Sequence, residues 1–199
     1  SGPICGLRVS SGGRAHLLVD NMLAVSPRAK QIGGQAVTMP LRSILGLEFP
    51  GIWGMPPKYR GSAESFLEFA KIIDEVGAKV AEAGMTFFYH NHSFEFVRFG
   101  KQTALDLLYA ESDPRYLKAE LDTYWVQHGG GDPSAWIRKM TGRMPVVHLK
   151  DMVMVEGGQD KWSGVVQAMA EIGEGNLDWE AILAACEEAG VEWYAIEQD

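Results

Sequence analysis

From residue 63 onward the chain alternates amphipathic helical stretches with short apolar runs. That alternation restricts it to parallel strands joined by right-handed helical crossovers. Residues 63–83 place Phe66, Phe69, Ala70, Ile73, Val76 and Val80 at three- and four-residue intervals, which gives one helical face for burial. Ser62 stands where a helix N-cap is needed, Glu64 suits the positive end of the helix dipole, and Gly84 is placed to end the helix in a left-handed turn. Residues 85–89 then read as a buried strand. The sequence next predicts a helix at 103–110, a strand at 117–121 and a helix opened by Asp132 as cap with Pro133 in its first turn. A strand at 146–149, a helix at 165–172, a helix from the Asp178 cap to Glu188 stopped by Gly190, and a strand at 191–196 complete the series. Periodicity alone leaves a closed barrel and an open doubly wound sheet both available.

The first 60 residues are broken up by glycines, leaving weak strands near 6–10 and 46–52 and a helix near 21–32. With 199 residues and 46% hydrophobic content, the chain is expected to form a single domain over 1–199. Acids outnumber bases 26 to 18, which argues against nucleic acid as a partner. No apolar run approaches the roughly 20 residues needed to span a bilayer, and Ser1-Gly2-Pro3 does not open a signal peptide. The reading is a cytoplasmic protein with no membrane partner. Cys5 and Cys186 stand far apart without a CxxC neighbour and are read as idle thiols. The chain starts without Met and stops at Asp199 just after a strand-like run, so one or both ends of a longer parent are expected to be missing.

Polar residues gather where the strands end: Tyr89-His90-Asn91-His92-Ser93-Phe94-Glu95, then Asp122-Thr123-Tyr124-Trp125, then His148-Leu149-Lys150-Asp151, then Glu197-Gln198-Asp199. In a parallel α/β protein the C-terminal strand edge is where ligands bind, because the loops converge there on a rigid scaffold. A lone His at such a place is more often a hydrogen-bonding group, and a lone Asp or Glu a cap or a solvated charge. Recurrence at four strand ends favours a shared site instead. Histidine with carboxylates suits Mn, Co, Zn or Fe, and carboxylate-rich sets admit Mg. An ion of this kind polarises a sugar carbonyl, and a flanking carboxylate moves the proton. Lys150, two residues past His148 and so on the same side of an extended segment, is a fixed positive charge for an enediolate or a phosphate, with a salt bridge as its ordinary alternative. Trp125 is a stacking surface for a sugar ring or simply loop packing. Gly129-Gly130-Gly131 and Gly173-Glu174-Gly175 are read as turns.

These clusters, with Glu120-Leu121-Asp122-Thr123-Tyr124-Trp125-Val126 and Gly173-Glu174-Gly175-Asn176-Leu177-Asp178-Trp179, resemble the sugar phosphate isomerase/epimerase proteins of the xylose isomerase-like barrel superfamily over residues 60–199. The resemblance implies a (β/α)8 TIM-barrel fold, here incomplete with about six β/α units against the eight of a full barrel. Two strand edges are then open to pairing, a homo-oligomer included. It implies a divalent metal held by Glu, Asp, His and Glu from successive strand ends, which places Asp122, His148 and Glu197 as ligands. At the first position His90 stands where the carboxylate belongs, so the metal set becomes His90, Asp122, His148 and Glu197, and Glu95 is the nearest replacement carboxylate. The catalytic residues implied are Glu197, Glu95 and His90, with His92, Lys150 and Trp125 against the substrate. The implied activity is an isomerase or epimerase working through an enediolate on a small sugar, keto sugar or sugar phosphate. An inosose dehydratase or 3-keto-sugar lyase is the alternative that tolerates the loss of one base. Abasic-site endonucleases of the same superfamily need a basic groove that this acidic chain lacks, and a non-catalytic sugar-binding remnant is the reading outside enzymology.

Overall fold

The computed structural model describes residues 51–82, 84–157 and 164–196, with the backbone of one further strand, β1 (Val37–Thr38). The elements expected at 6–10, 21–32 and 46–50, Cys5, Trp162 and residues 197–199 lie outside the described residues. The described part falls into two compact units divided between Glu120 and Leu121.

In the first unit β2 (Gly51–Trp53) pairs antiparallel with β1 and parallel with β3 (Phe88–His90). β3 in turn pairs parallel with the start of β6 (Lys118–Asp122), in the register Phe88 to Lys118 and His90 to Glu120. Helix α1 (Ala63–Glu82) returns the chain between β2 and β3. Its start is fixed as the sequence predicts: Ser65 N donates to Ser62 Oγ at 3.2 Å, and Ser62 N donates to Ser65 Oγ at 3.0 Å. Its buried face is the expected one, Phe66, Phe69, Ala70, Ile73, Val76 and Val80, joined by Ile72. Gly84 follows it with φ of 72°, a left-handed stop. A small hairpin, β4 (Arg98–Phe99) and β5 (Gln102–Thr103), leads into α2 (Ala104–Glu111). There Thr103 Oγ1 accepts from Asp106 N at 3.1 Å while Asp106 Oδ2 accepts from Thr103 N at 2.8 Å.

In the second unit α3 (Thr123–His128) and α4 (Pro133–Lys139) precede β7 (Val146–Leu149). β7 pairs parallel with β10 (Trp193–Ile196) through the crossover α5 (Trp179–Ala189). Asp178 caps α5 by accepting from Ala181 N at 3.0 Å, and Gly190 ends it at φ of 74°. One expectation is corrected here. Residues 165–172 are not a helix: Val165–Ala170 is a strand, β9, paired antiparallel with β8 (Asp151–Glu156) from Asp151 opposite Ala170 to Glu156 opposite Val165. The run Val165-Val166-Gln167-Ala168-Met169-Ala170 fits either period in its apolar positions, and a partner strand with a full ladder of hydrogen bonds decides the matter. Among the described residues, no helix is long and apolar enough to cross a membrane.

Gly77 lies inside α1, where alanine would ordinarily be favoured by about 1 kcal/mol. A Cβ at this position would run into the backbone carbonyl of Tyr116, which cannot move away as a flexible side chain could. Gly77→Ala is therefore expected to lower the denaturation midpoint despite the gain in helix propensity. An unchanged or raised midpoint in urea would show that the 113–117 turn yields freely.

Candidate metal-binding site

At the C-terminal end of β3, parallel pairing sets His90 beside Glu120 of the neighbouring strand. Strands lie about 4.8 Å apart and paired residues share a face, so the two side chains are forced into company. Both are buried, His90 at 4% and Glu120 at 8% exposure, with His90 Nδ1 3.4 Å from Glu120 Oε2. The His92 ring packs edge-on against His90 and stacks on Phe94, whose other neighbour is the Arg60 guanidinium 3.6 Å from the ring centroid. Gly54, at φ of 91°, allows this approach, since a Cβ there would stand 3.1 Å from His92 Nδ1.

Glu95 lies beneath this loop and is wholly buried. It accepts from the Tyr89 hydroxyl at 2.5 Å and from His92 N at 2.9 Å. Burial pushes its carboxyl up to about 8 against those two stabilising bonds, and pushes the Tyr89 phenol well above its ordinary range, with Glu95 adding to the effect.

At the end of β6, Asp122 divides its two oxygens. Oδ1 accepts from Trp125 N at 2.9 Å and so caps α3, while Oδ2 stands 3.4 Å from His148 Nδ1 at the end of β7. Thr123 ties the next residues in place: its hydroxyl donates to Lys150 O at 2.8 Å and accepts from Lys150 N at 2.9 Å. Lys150 is 3% exposed, with its ammonium 5.8 Å from the centre of the Tyr124 ring. Tyr124 is held by Gln167, which donates to its hydroxyl, and is flanked by His128 in a parallel stack and by half-buried Trp125 edge-on.

Asp151 has a different occupation. Its buried carboxylate accepts from Met152 N at 2.7 Å, Gly173 N at 2.9 Å, Gly175 N at 3.0 Å, Leu177 N at 3.4 Å and Trp179 Nε1 at 2.6 Å. A side chain on Gly175 would collide with it. The glycine-rich stretch at 173–177 is thus a turn wound round an internal anion.

The two imidazole–carboxylate separations bear on whether a metal fits. A charge-assisted N–H···O bond closes to about 2.7–2.9 Å. Two atoms bound to one ion at about 2.1 Å stand roughly 3.0–3.4 Å apart at octahedral to tetrahedral angles. Both pairs, at 3.4 Å, match two ligands of one ion better than a direct bond. Neutral imidazole with carboxylate is also the donor chemistry that borderline divalent ions take.

Residues 13–199 match the xylose isomerase-like TIM barrel family, nearly the whole chain. The chain belongs to that family. The expected barrel-type α/β fold is therefore the fold of this family member, with β2, β3 and β6 parallel in one unit and β7 and β10 parallel in the other. An inosose dehydratase from Clostridium botulinum is 27% identical over 192 residues, covering 92% of this chain and 59% of its own. A sugar phosphate isomerase/epimerase from Parabacteroides distasonis superposes with a TM-score of 0.65 at 21% identity, over 90% of this chain and 58% of that one. The IolI protein, solved with a zinc atom bound, superposes with a TM-score of 0.57 at 13% identity, over 78% of this chain and 55% of that one. The chain spans about half the length of the curated relatives it matches.

Of the family-type site residues read from the sequence, Asp122 and His148 are brought together, and His90 and His92 lie side by side. Glu95 is turned inward, and Glu197 lies outside the described residues. The pairing of Glu120 with His90 was not expected from the sequence. The parity that singled out Lys150 from His148 applies equally to Glu120 from Asp122 and was the signal available.

Because the folded-state pKa of Glu95 is raised, the native protein holds a proton that the unfolded chain releases above about 4.5. Its contribution to stability is full below that pH, falls as pH rises to about 8, and is constant beyond. Glu95→Gln, neutral throughout, is expected to gain in thermal midpoint relative to wild type across that window. Parallel pH profiles for the two proteins would show that Glu95 is ionised in the fold.

Proposed function

We propose that this chain carries the active site of a divalent-metal-dependent lyase that dehydrates a small keto sugar or cyclitol next to its ketone. The observation that carries the proposal is the pair of buried imidazole–carboxylate couples, each at ligand-to-ligand separation. The inosose dehydratase relative favours dehydration over isomerisation, and the zinc of the IolI protein supports a metal of this type. His90, Asp122, His148 and Glu197 are the residues we assign to hold the ion, which is Mn, Co, Zn or Mg. When bound, such an ion acts as a Lewis acid toward the ketone and a neighbouring hydroxyl.

The chain's own residues supply the rest. Glu197 takes the proton α to the ketone, and the C–H electrons become the new carbon–carbon double bond. The β-carbon–oxygen bond breaks, and its hydroxyl leaves as water with a proton given by His92, which is partly exposed beside His90. Lys150, an ammonium buried at the strand end, faces the developing oxyanion with fixed positive charge. The half-buried Trp125 offers an apolar surface to the ring. Glu95, bonded to Tyr89 and His92 N, holds the loop and is not assigned the proton. An isomerase or epimerase on a keto sugar or sugar phosphate shares the first step and differs in returning the proton without losing the hydroxyl.

Inososes and keto sugars incubated with the protein and a divalent ion in deuterated water, followed by NMR, separate these outcomes. Exchange at the α-carbon with loss of water is expected; exchange with an epimerised product supports the isomerase. Chelation and Glu197→Gln should each abolish exchange. Exchange that survives either treatment, or no exchange with any substrate, would sink the proposal.

A further inference from the structure

We propose that Arg60 recognises an anionic substituent, a phosphate or a carboxylate, on the keto substrate. The inference rests on the reading of the site given above and deepens it by naming the charge its substrate carries.

Arg60 stands just beyond the end of β2, whose last residue, Trp53, pairs with His90. It therefore belongs to the same C-terminal strand edge as the histidines of β3. Its backbone is fixed from both sides: Arg60 N donates to Pro57 O at 3.1 Å, and Ser62, two residues on, caps α1. The half-buried side chain is fixed as well. Nε donates to Met55 O at 2.7 Å, and Cζ lies 3.6 Å from the centre of the Phe94 ring, on which His92 also stacks.

A guanidinium carries donors on all three of its nitrogens, and here Nε alone is spent on the protein. Among the described residues no carboxylate stands within ion-pair distance of the terminal fork. Glu95, the carboxyl near enough to feel the charge of Arg60, gives its oxygens to the Tyr89 hydroxyl and to His92 N instead. A permanently charged, planar fork is thus held in place beside His92 with its outer donors unspent. Such a fork matches two oxygens of one carboxylate or phosphate, whereas sugar hydroxyls would meet its N–H groups and leave the charge unanswered.

The rival role is that of a clamp, in which the bond to Met55 and the Phe94 stack serve only to order the 54–60 loop. A clamp changes stability when removed and leaves the choice between charged and neutral ligands untouched.

The test is calorimetric titration of the full chain in Mg2+ buffer with fructose 6-phosphate, 2-ketogluconate and fructose, which carry a phosphate, a carboxylate and no charge. At least one anionic probe is expected to bind about tenfold or more tighter than fructose, the size of a hydrogen bond to a charged group. Which of the two does so identifies the substituent. Added salt should narrow the preference. Arg60→Gln should erase it, while Lys58→Gln, which removes the same charge two residues away, should keep it. A preference absent from wild type, surviving in Arg60→Gln, or lost equally in Lys58→Gln overturns the proposal, as does a lower thermal midpoint in Arg60→Gln with the preference intact. Should Arg60→Gln not fold, Arg60→Lys decides: it keeps the charge without the fork, and an undiminished preference there overturns the assignment. Equal binding of all three probes, with exchange at the α-carbon intact, removes the role of Arg60 and leaves the dehydratase reading standing. Binding of none removes both.

Discussion

A carboxylate taken out of water must be given donors, a positive partner or a proton, and this requirement organises the strand ends of the protein. Glu95, Glu120, Asp122 and Asp151 are all buried. Asp151 meets the requirement with five N–H groups drawn from its own strand and the 173–179 turn. Glu95 meets it with one hydroxyl, one N–H and a carboxyl pushed up to about 8. Glu120 and Asp122 instead face imidazoles at a separation longer than a bond. The first two are closed on the protein and shape loops. The second two stand at strand ends beside the two histidines. Proximity to a strand end does not make this distinction, and the partners of each oxygen do.

The same contrast marks where sequence was sufficient. α1 was legible because its cap, its apolar spacing and its terminating glycine agree, each acting within a few residues. The α5 cap at Asp178 and stop at Gly190 were legible for the same reason. β9 was read as a helix because its stability comes from its ladder with β8, and local periodicity carries no trace of that pairing. Asp122, His148, His90 and His92 were singled out through recurrence at strand ends and family resemblance. The pairing of Glu120 with His90 was not legible, because it depends on a β3–β6 register that sequence does not state. Glu95 was read as a catalytic carboxylate, with no signal in the sequence that Tyr89, six residues earlier, would bond it inside the fold.

Asp122 shows how closely fold and chemistry are joined at these positions. One oxygen caps α3 and so sets where the helix begins, while the other faces His148. The bland reading of a strand-end Asp, a helix cap, is met by one oxygen, while the other stands beside His148. The cap also fixes the rotamer, which leaves the second oxygen little freedom. Thr123, the next residue, grips both the N–H and the carbonyl of Lys150 through one hydroxyl, so the strand end bearing His148 is held by the residue that follows Asp122. The placement of these side chains is thus inherited from secondary-structure hydrogen bonding. In this unit the elements that end β6 and β7 are the same ones that aim their side chains, and loosening the cap would disturb the aim before it disturbed the helix.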